Sequence, residues 1–516
     1  MLLQEFLTRS ASAFPDKEAV VRGPARVTYA TLNENADAIA WVLRQEGIER
    51  GDRVCLLIGN SPEYIMAYFG VLKAGGIVVP LNDNNFSRGL VRIFQDCLPR
   101  FVITQQKSID ILADVISGMP FIQAVLSFAK RDSEPAQVQS ISADLQQGPP
   151  KIISFSEIHG GIAPPPCNTS LDADAVALIL YTSGTTGHSK GVMLTHRNLV
   201  SNAQSIIKYL ALTEKDSVMV VLPFYYSYGN SLLTTHVMVG GTMILENSFL
   251  FPNKILDRMA AEKVTGFSGV PSTFALFLNR SAIREYHFPN LRYITQAGGA
   301  MAANHALELK SLLPKSQIFI MYGQTEATAR LSYLEPDVLV RKAGSVGKAI
   351  EGVTLSIRKK DGSDSSPGVV GEIVAEGDNI MKGYWKNQEE TNKVLKYGKL
   401  HTGDLAWKDD EGFIYIVGRE SEMIKTSGHR ISPKEIEEVI LEIPNVYEVA
   451  VKGIKDNLLG EAVVAYVVVS NASNMEKDEI LKHCKRNLPI YMIPKAIYFV
   501  DHLPKTDSGK IKKNEL

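Results

Sequence analysis

Short apolar runs alternate with stretches of helical periodicity through much of the chain, and this alternation restricts the fold more than any other feature. RVCLLIG precedes PEYIMAYFGVLKAG, which GIVVPL follows, and ALILYTSG precedes HRNLVSNAQSIIKYL. Strand patterns that alternate with helix patterns are typical of βαβ units, whose parallel strands are covered by helices. We therefore predict an α/β fold with mostly parallel sheets.

The domain organisation follows from the length and from two changes of pattern. A chain of 516 residues is too long for one hydrophobic core. From Asp361 the sequence DGSDSSPGVVGEIVAEG is rich in turn residues, which indicates a small β-subdomain. After Arg419 the chain carries a new helix pattern and a new strand pattern. We predict a large N-terminal lobe of several subdomains over residues 1–420 and a small α+β C-terminal domain over residues 421–516.

The helix predicted in ISPKEIEEVI has a recognisable start. Ser432 can cap it, Pro433 suits its first position, and Glu435 completes a capping box. Its apolar face carries three residues, Ile436, Val439 and Ile440.

Charge and cysteine content exclude several classes of protein. The 55 basic and 56 acidic residues nearly cancel, so a partner such as nucleic acid or an anionic membrane is not expected. The four cysteines form no CxxC pair, which argues against a zinc site or a disulfide framework. The start, MLLQEFLTRSASAF, predicts an amphipathic helix rather than a signal peptide, and no apolar run is long enough to span a bilayer. A cytoplasmic protein is expected.

The loop YTSGTTGHSKG, residues 181–191, follows a predicted buried strand. Its glycines let backbone N–H groups converge, and its hydroxyls and lysine add donors for anionic oxygens, which together suit a phosphate. The spacing of Gly184, Gly187 and Lys190 differs from the Gly-x4-Gly-Lys-Ser/Thr of P-loop NTPases. The loop alone is also compatible with a flexible polar turn.

Four further motifs settle the interpretation. They are MYGQTEAT at 321–328, GYW at 383–385, HTGDLAW at 401–407 and LPKTDSGKI at 503–511. In this order they resemble the adenylate-forming (AMP-binding) superfamily of acyl-CoA synthetases, aryl-CoA ligases, luciferases and stand-alone adenylation domains. The resemblance covers nearly the whole chain. It implies that ATP activates a carboxylic acid to an acyl-adenylate with release of pyrophosphate, and that the acyl group then passes to a thiol.

The resemblance also implies roles for individual residues toward ATP and Mg²⁺. Glu326 would bind the Mg²⁺, Thr325 would donate to the α-phosphate, and Asp404 and Arg419 would reach the ribose. Ser189 stands where the family often has proline. The β- and γ-phosphates would be held by Thr182, Ser183, Gly184, Thr185, Thr186, Gly187 and Lys190. The adenine would lie against Gly298, Gly299, Ala300, Tyr322 and Gly323.

The C-terminal domain would supply the catalytic lysine. Lys510 resembles the family's lysine that bridges the carboxylate and the α-phosphate in the transition state. The domain would then rotate about a hinge at Ser421, where the family commonly has Asp or Lys. This rotation would bring Gly428 to the thiol tunnel for the second half-reaction.

The segment LPFYYSYGNSLLTTHVMVGG corresponds to the family's acyl-pocket motif. It contains no Asp or Glu to pair with an ammonium group, and an unpaired buried ammonium is costly. An uncharged apolar or aromatic acid is therefore favoured over an α-amino acid, with Tyr226, Ser227 and Gly298 in the pocket.

The acceptor and the assembly remain open at this stage. Coenzyme A is favoured, and the phosphopantetheine arm of a carrier protein is the alternative, as in a stand-alone adenylation enzyme. A non-catalytic nucleotide-binding relative is a lesser alternative. A monomer or a homodimer is expected.

Overall fold

The chain folds into two compact units, and each is assembled from segments that are distant in sequence. The computed structural model describes residues 1–83, 88–116, 118–128, 150–155, 171–182, 189–247, 249, 251–426, 429–456, 459–470, 475–506 and 509–516. The first unit contains Met1–Asn247, Thr325–Ala329 and Asp378–Lys393. The second contains Ser248–Gln324, Arg330–Gly377 and Val394–Leu516. Helices and parallel strand pairs occur in both units, and parallel pairing predominates in the first, so the predicted α/β class is confirmed.

The first unit is built on an eight-stranded sheet. All neighbouring strands are parallel except the two pairs at one edge, which are antiparallel. Side chains such as Cys55, Val79 and Val102 are fully buried in its core. Across the sheet the strands run in the order Gly383–Tyr384, Lys190–Thr195, Val176–Thr182, Ile77–Pro80, Arg53–Leu57, Phe101–Gln105, Ala124–Phe128 and Lys151–Ser154.

A second group of strands in the first unit combines parallel and antiparallel pairing. Glu18–Arg22 and Ser217–Val220 lie parallel on either side of Thr242–Leu245, and Ala25–Thr28 pairs antiparallel with Glu18–Arg22. The helices of this unit are Glu5–Ala13, Tyr29–Gln45, Pro62–Ala74, Arg88–Cys97, Ile109–Ile116, His196–Leu210 and Ser227–Val239.

The predicted helices begin and end at residues with local reasons to do so. The hydroxyl oxygen of Ser61 accepts a hydrogen bond from the Tyr64 N–H, Pro62 occupies the first turn, and Gly75 ends the helix with a φ of 90°. The helix His196–Leu210 begins with a capping box formed by Thr195 and Asn198.

The second unit begins with three parallel strands, Gly266–Gly269, Tyr293–Gln296 and Gln317–Tyr322, which two antiparallel strands extend. Those two strands are Ser332–Leu334 and Lys348–Ala349. Its first helices are Pro252–Ala261, Pro271–Arg280 and Ala303–Leu312.

The predicted small β-subdomain follows as an antiparallel sheet of Val353–Arg358, Gly371–Gly377, Leu395–Lys396, Lys399–Lys408 and Ile414–Arg419. The short helix Gln388–Val394 precedes the third strand of this sheet in the chain, but its residues as far as Lys393 belong to the first unit.

The last part of the second unit has a core of its own, formed by side chains between Ile424 and Ile497. This agrees with a separate C-terminal domain, although the boundary at residue 420 stays a prediction. Its helices are Pro433–Leu441 and Lys477–Asn487. Its strands are Ile424–Thr426, His429–Ile431, Val446–Asp456, Gly460–Val469 and Ala496–Phe499.

The predicted capping box at Ser432 is wrong. Pro433 does begin the helix and Ile436 and Ile440 are buried, but Ser432 makes no side-chain capping bond. Its hydroxyl donates to the carbonyl oxygen of Val417 instead. A tertiary acceptor therefore takes the hydroxyl that the local pattern assigns to the helix.

The amphipathic N-terminal helix is confirmed at Glu5–Ala13, where Phe6 and Leu7 face inward. Within the described ranges, no helix combines the length and the apolar character needed to cross a bilayer.

Candidate active site

The two ends of the predicted phosphate loop meet on neighbouring strands of the first unit. Val176–Thr182 and Lys190–Thr195 pair antiparallel, with Thr182 directly opposite Lys190. The loop residues Ser183, Gly184, Thr185, Thr186 and Gly187, and Gly428 of the predicted thiol tunnel, lie outside the described residues.

Lys190 lies beside both a carboxylate and an aromatic ring. Its Nζ forms an ion pair with Glu390 in the helix Gln388–Val394, and it lies 5.1 Å from the centroid of the Tyr384 ring. Hydrogen bonds from Lys190 and Lys393 lower the pKa of Glu390 to about 2. The Glu390 carboxylate is therefore ionised at neutral pH.

Tyr384 connects Lys190 to the predicted metal ligand. Its hydroxyl donates to Oε1 of Glu326 at 2.8 Å. Glu326 lies in the short 3-10 helix Thr325–Ala327, whose position is fixed by a 2.9 Å hydrogen bond from the Met381 N–H to the Glu326 carbonyl oxygen. The second half of MYGQTEAT, from Thr325, thus meets the GYW motif in the first unit.

Thr325 lies next to the predicted acyl pocket. Its Oγ1 is 3.4 Å from Oγ of Ser227, the first residue of the helix Ser227–Val239. The residue predicted to donate to the α-phosphate and a residue predicted to line the acid pocket are therefore neighbours.

The acyl-pocket segment is rich in aromatic side chains, and one of them packs against Tyr64. The ring centroids of Tyr225 and Tyr226 are 4.7 Å apart, and those of Tyr64 and Phe224 are 5.4 Å apart. Tyr226 precedes the helix at its N-terminus and is half-buried, as Tyr225 is. This environment is suited to apolar and aromatic groups.

In the second unit Tyr322, Asp404 and Arg419 form one cluster. The Tyr322 hydroxyl donates to Oδ2 of Asp404 at 2.7 Å, and Nε of Arg419 donates to its Oδ1 at 3.0 Å. Burial, and then the charge of Asp404, raise the pKa of Tyr322 well above its usual range. Tyr322 therefore keeps the proton that it donates. Asp404 lies on the strand Lys399–Lys408, opposite Arg419 in the register, so HTGD is part of a strand rather than a turn.

Lys510 lies beside the predicted adenine turn. A Cβ placed on Gly298 would be 3.9 Å from Cε of Lys510, and Gly298 has a φ of 87°. Gly299 and Ala300 are exposed next to it, and Nε2 of Gln296 donates to the Gly299 carbonyl oxygen at 2.9 Å. The backbone of this turn is therefore accessible next to Lys510.

Three described residues at this end of the chain, Thr506, Gly509 and Lys510, are joined by hydrogen bonds. The Gly509 N–H donates to the Thr506 carbonyl oxygen at 2.8 Å, and the Thr506 N–H donates to the Lys510 carbonyl oxygen at 2.7 Å. Oγ of Ser272 donates to the Gly509 carbonyl oxygen at 3.2 Å. Lys510 is thus held close to the adenine turn.

Gly323 and Ser421 are the two remaining predicted positions. Gly323 follows the strand Gln317–Tyr322 and is half-buried. Ser421, the predicted hinge, lies exposed in the 3-10 helix Glu420–Glu422.

Sequence reasoning missed the roles of Tyr384 and Glu390. Tyr384 belongs to a motif that was recognised but given no chemistry. Glu390 follows the motif closely, but no signal in the sequence marks it as the partner of Lys190, which lies 200 residues away.

The donor set suits a Mg²⁺ that also binds phosphate. Mg²⁺ in nucleotide sites takes one or two carboxylates together with phosphate oxygens and water. In the described part of the chain no three His, Cys, Asp or Glu residues cluster as a complete metal cage. Glu326, one carboxylate positioned by Tyr384, fits a metal that arrives with its phosphates.

Comparison with known families gives two matches along the chain. Residues 7–385 match the model of the AMP-binding enzyme family, and residues 435–510 match the model of the AMP-binding enzyme C-terminal domain.

Similar curated proteins are CoA ligases. The chain is 32% identical to the long-chain-fatty-acid–CoA ligase of Escherichia coli O157:H7, over 100% of this chain and 94% of that protein. It is 31% identical to the 2-succinylbenzoate–CoA ligase of Bacillus licheniformis, over 99% of this chain and 98% of that protein.

Among solved structures, ATP-bound MatB from Rhodopseudomonas palustris has a TM-score of 0.87 at 28% identity, covering 100% of this chain and 98% of that chain. The o-succinylbenzoate CoA synthetase MenE from Bacillus subtilis, in complex with its acyl-adenylate intermediate, has a TM-score of 0.84 at 27% identity. That match covers 99% of this chain and 97% of the MenE chain.

Proposed function

The chain belongs to the AMP-binding enzyme family, and from this premise we propose how its own residues carry out the reaction. The protein is an AMP-forming acid–thiol ligase of the acyl-CoA synthetase type. It activates a carboxylic acid with ATP to an acyl-adenylate, releases pyrophosphate, and transfers the acyl group to coenzyme A.

The first half-reaction brings two anions together, because a carboxylate must attack the α-phosphate of ATP. Positive charge and oriented donors at that point lower the barrier. We assign this role to Lys510, with Thr325 donating to the α-phosphate. The observation that carries the assignment is the side chain of Lys510 beside Gly298, at the turn proposed for adenine.

The nucleoside of ATP would be held by the cluster in the second unit. Asp404 would accept from the ribose hydroxyls with Arg419 beside it, and the Tyr322 ring would stack on adenine, with Gly298, Gly299, Ala300 and Gly323 close to it. The hydrogen bonds to both oxygens of Asp404 support this role, because they orient the carboxylate before ATP arrives.

The polyphosphate would be held by residues of the first unit. Lys190 and Thr182, with the loop between them, would bind the β- and γ-phosphates, and Glu326 would bind Mg²⁺. When bound, Mg²⁺ neutralises the charge that develops on the leaving pyrophosphate.

We propose that the C-terminal domain turns about Ser421 after adenylation. This motion would withdraw Lys510 and bring Gly428 to the thiol. The names of the relatives favour coenzyme A as the acceptor over a carrier-protein arm, since both relatives above are CoA ligases.

The substrate acid is proposed to be apolar or aromatic and without an amino group. The aromatic side chains around Tyr226, the neighbouring Ser227 and the lack of Asp or Glu between residues 222 and 241 support this proposal. The acids in the relatives' names, long-chain fatty acid and 2-succinylbenzoate, are apolar or aromatic as well.

We further propose a cytoplasmic monomer or homodimer. ATP and coenzyme A are both substrates of this reaction, and the cysteines form no motif typical of an oxidising compartment. Size-exclusion chromatography with light scattering determines the assembly.

The function is tested by pyrophosphate release from a panel of acids that includes fatty acids, aryl acids and amino acids. We expect release that requires ATP, Mg²⁺ and one class of acid, with AMP as the nucleotide product and an acyl-CoA thioester after coenzyme A is added. ADP as the product would contradict the proposal.

Replacing the catalytic lysine separates the two half-reactions. Lys510→Ala should slow pyrophosphate release about 10²–10³-fold, because one contact to the transition-state charge is lost. Thioester formation from preformed acyl-adenylate should survive. Lys512→Ala, which removes a neighbouring lysine paired with Glu515, is the matched control and should leave both steps unchanged.

A further inference from the structure

Lys190 is held by a carboxylate from a different part of the first unit. In the ion pair with Glu390, 20% of the lysine side chain and 26% of the glutamate side chain are exposed to solvent. Partial exclusion of water makes this interaction stronger than that of a fully exposed surface pair.

The backbone around Glu390 is fixed relative to the strand of Lys190. Tyr384 pairs with Val192 on that strand, and the Tyr384 N–H donates to Oγ1 of Thr391 at 2.9 Å. Oδ1 of Asn387 accepts from the Glu390 N–H at 3.0 Å at the start of the helix. The Glu390 carboxylate is therefore placed on Lys190 by a strand and a helix rather than by a loose surface contact.

The surroundings of the pair link it to the proposed metal ligand. Lys190 lies over the Tyr384 ring, and the Tyr384 hydroxyl binds Glu326. Glu390 also accepts from Nζ of Lys393 at 2.6 Å, and Lys393 lies 2.8 Å from Glu389 as well.

We propose that Glu390 is an internal counter-ion that binds Lys190 in the absence of ATP and competes with the polyphosphate for this lysine. This inference rests on the proposed role of Lys190 in binding the β- and γ-phosphates. Two anionic groups that share one ammonium repel each other, so the carboxylate weakens the binding of pyrophosphate. Glu390 is thus a positioning residue that limits product retention and favours pyrophosphate release.

The test measures binding of inorganic pyrophosphate and of ATP to the full chain by calorimetry. Glu390→Gln keeps the shape of the side chain and removes its charge, so pyrophosphate should bind about fivefold more tightly than to the wild type. Glu389→Gln is the matched control, because Glu389 also contacts Lys393 but is 82% exposed and forms no ion pair with Lys190. It should leave pyrophosphate binding unchanged.

Two further readouts separate a charge effect from a merely structural one. The gain in pyrophosphate affinity of Glu390→Gln over the wild type should shrink as the salt concentration is raised, since screening weakens the electrostatic competition. Product inhibition of acid activation by pyrophosphate should become about fivefold stronger, in line with the binding change. Glu390→Asp keeps the charge but shortens the reach, so it should give intermediate binding and replaces the Gln variant if that protein does not fold.

Unchanged or weaker pyrophosphate binding in a folded Glu390→Gln protein would overturn the inference. A wild-type protein that binds neither pyrophosphate nor ATP would instead overturn the proposed function. The two failures are therefore distinguishable in one set of titrations.

Discussion

Asp404 accepts hydrogen bonds from a neutral phenol and from a charged guanidinium, one on each carboxylate oxygen. A carboxylate that is almost fully buried needs such partners, because its charge has lost most of its water. The same bonds fix the plane of the carboxylate. At the residue scale, the proposed ribose contact is therefore set by side chains that surround Asp404.

Removing the hydroxyl of Tyr322 tests this arrangement. Tyr322→Phe keeps the ring proposed to stack on adenine but removes the 2.7 Å hydrogen bond to Asp404. The loss of a hydrogen bond to a charged group should raise the KM for ATP about tenfold. The KM for the acid should stay the same, and steady-state kinetics with each substrate varied in turn check both expectations. A change in the acid KM alone would contradict the assigned role.

His196 should make stability dependent on pH. Its ring Nδ1 accepts a hydrogen bond from the Leu3 N–H, and burial lowers its pKa to about 4. In the unfolded chain the His196 ring takes up a proton near pH 6.5, whereas in the folded protein it does so only near pH 4. Protonation therefore favours the unfolded chain, and the stabilisation that is present above pH 6.5 is lost as the pH falls toward 4. The loss of unfolding free energy should reach about 3 kcal/mol at most.

Chemical denaturation at several pH values measures this loss. The control is His196→Gln, whose side chain has an acceptor but no titration in the same range. Equal losses of unfolding free energy in both proteins between pH 7 and pH 4 would show that other groups are responsible.

At the scale of elements, the helix Ser227–Val239 packs so closely on the turn before it that one position must be glycine. A Cβ on Gly229 would lie 2.0 Å from the carbonyl oxygen of Pro223. This oxygen belongs to the backbone, so it cannot move aside as the end of a flexible side chain can. This contact fixes the segment that carries Tyr225 and Tyr226 against its own helix.

Gly229→Ala should therefore displace the acyl-pocket segment. Overpacking of this kind typically costs about 1–3 kcal/mol, and we also expect the KM for the acid to rise. Thermal unfolding and acid kinetics measure the two effects. Gly118→Ala, at a site where a Cβ would meet nothing within 4 Å, is the control and should change neither. Normal stability in Gly229→Ala would contradict the close packing.

At the scale of the whole molecule, two half-reactions need different residues near the same acyl-adenylate. The C-terminal segment has its own core, formed by residues such as Ile436, Val451 and Ile480. A segment with its own core can move as a rigid body if the residues at its start absorb the rotation. Ser421 lies exposed at that start.

Restricting the hinge should slow only the second half-reaction. Ser421→Pro fixes the φ angle of the proposed hinge, so pyrophosphate release in the absence of coenzyme A should be retained while thioester formation falls about tenfold or more. Rapid-quench kinetics separate the two steps. Ser421→Ala, which leaves φ unrestricted, is the control. An equal loss in both steps would argue against a hinge at this residue.

The sequence by itself determined the class of fold and several of its elements. Strands such as Arg53–Leu57 and helices such as Pro62–Ala74 and His196–Leu210 lie where apolar periodicity predicts them. These signals are local, because each depends on neighbours within a few residues. The ordered motifs were also sufficient to identify the family.

Only the tertiary structure decided which side chains meet. Lys190 and Glu390 are 200 residues apart, and Tyr322 and Asp404 are 82 apart. Ser432 was predicted from its local pattern to cap a helix, but it binds a carbonyl oxygen 15 residues away. Strand pairing and register place such residues together, and these depend on the packing of the whole unit rather than on any one segment. Glu390 could therefore be identified as the counter-ion of Lys190 only from the tertiary structure.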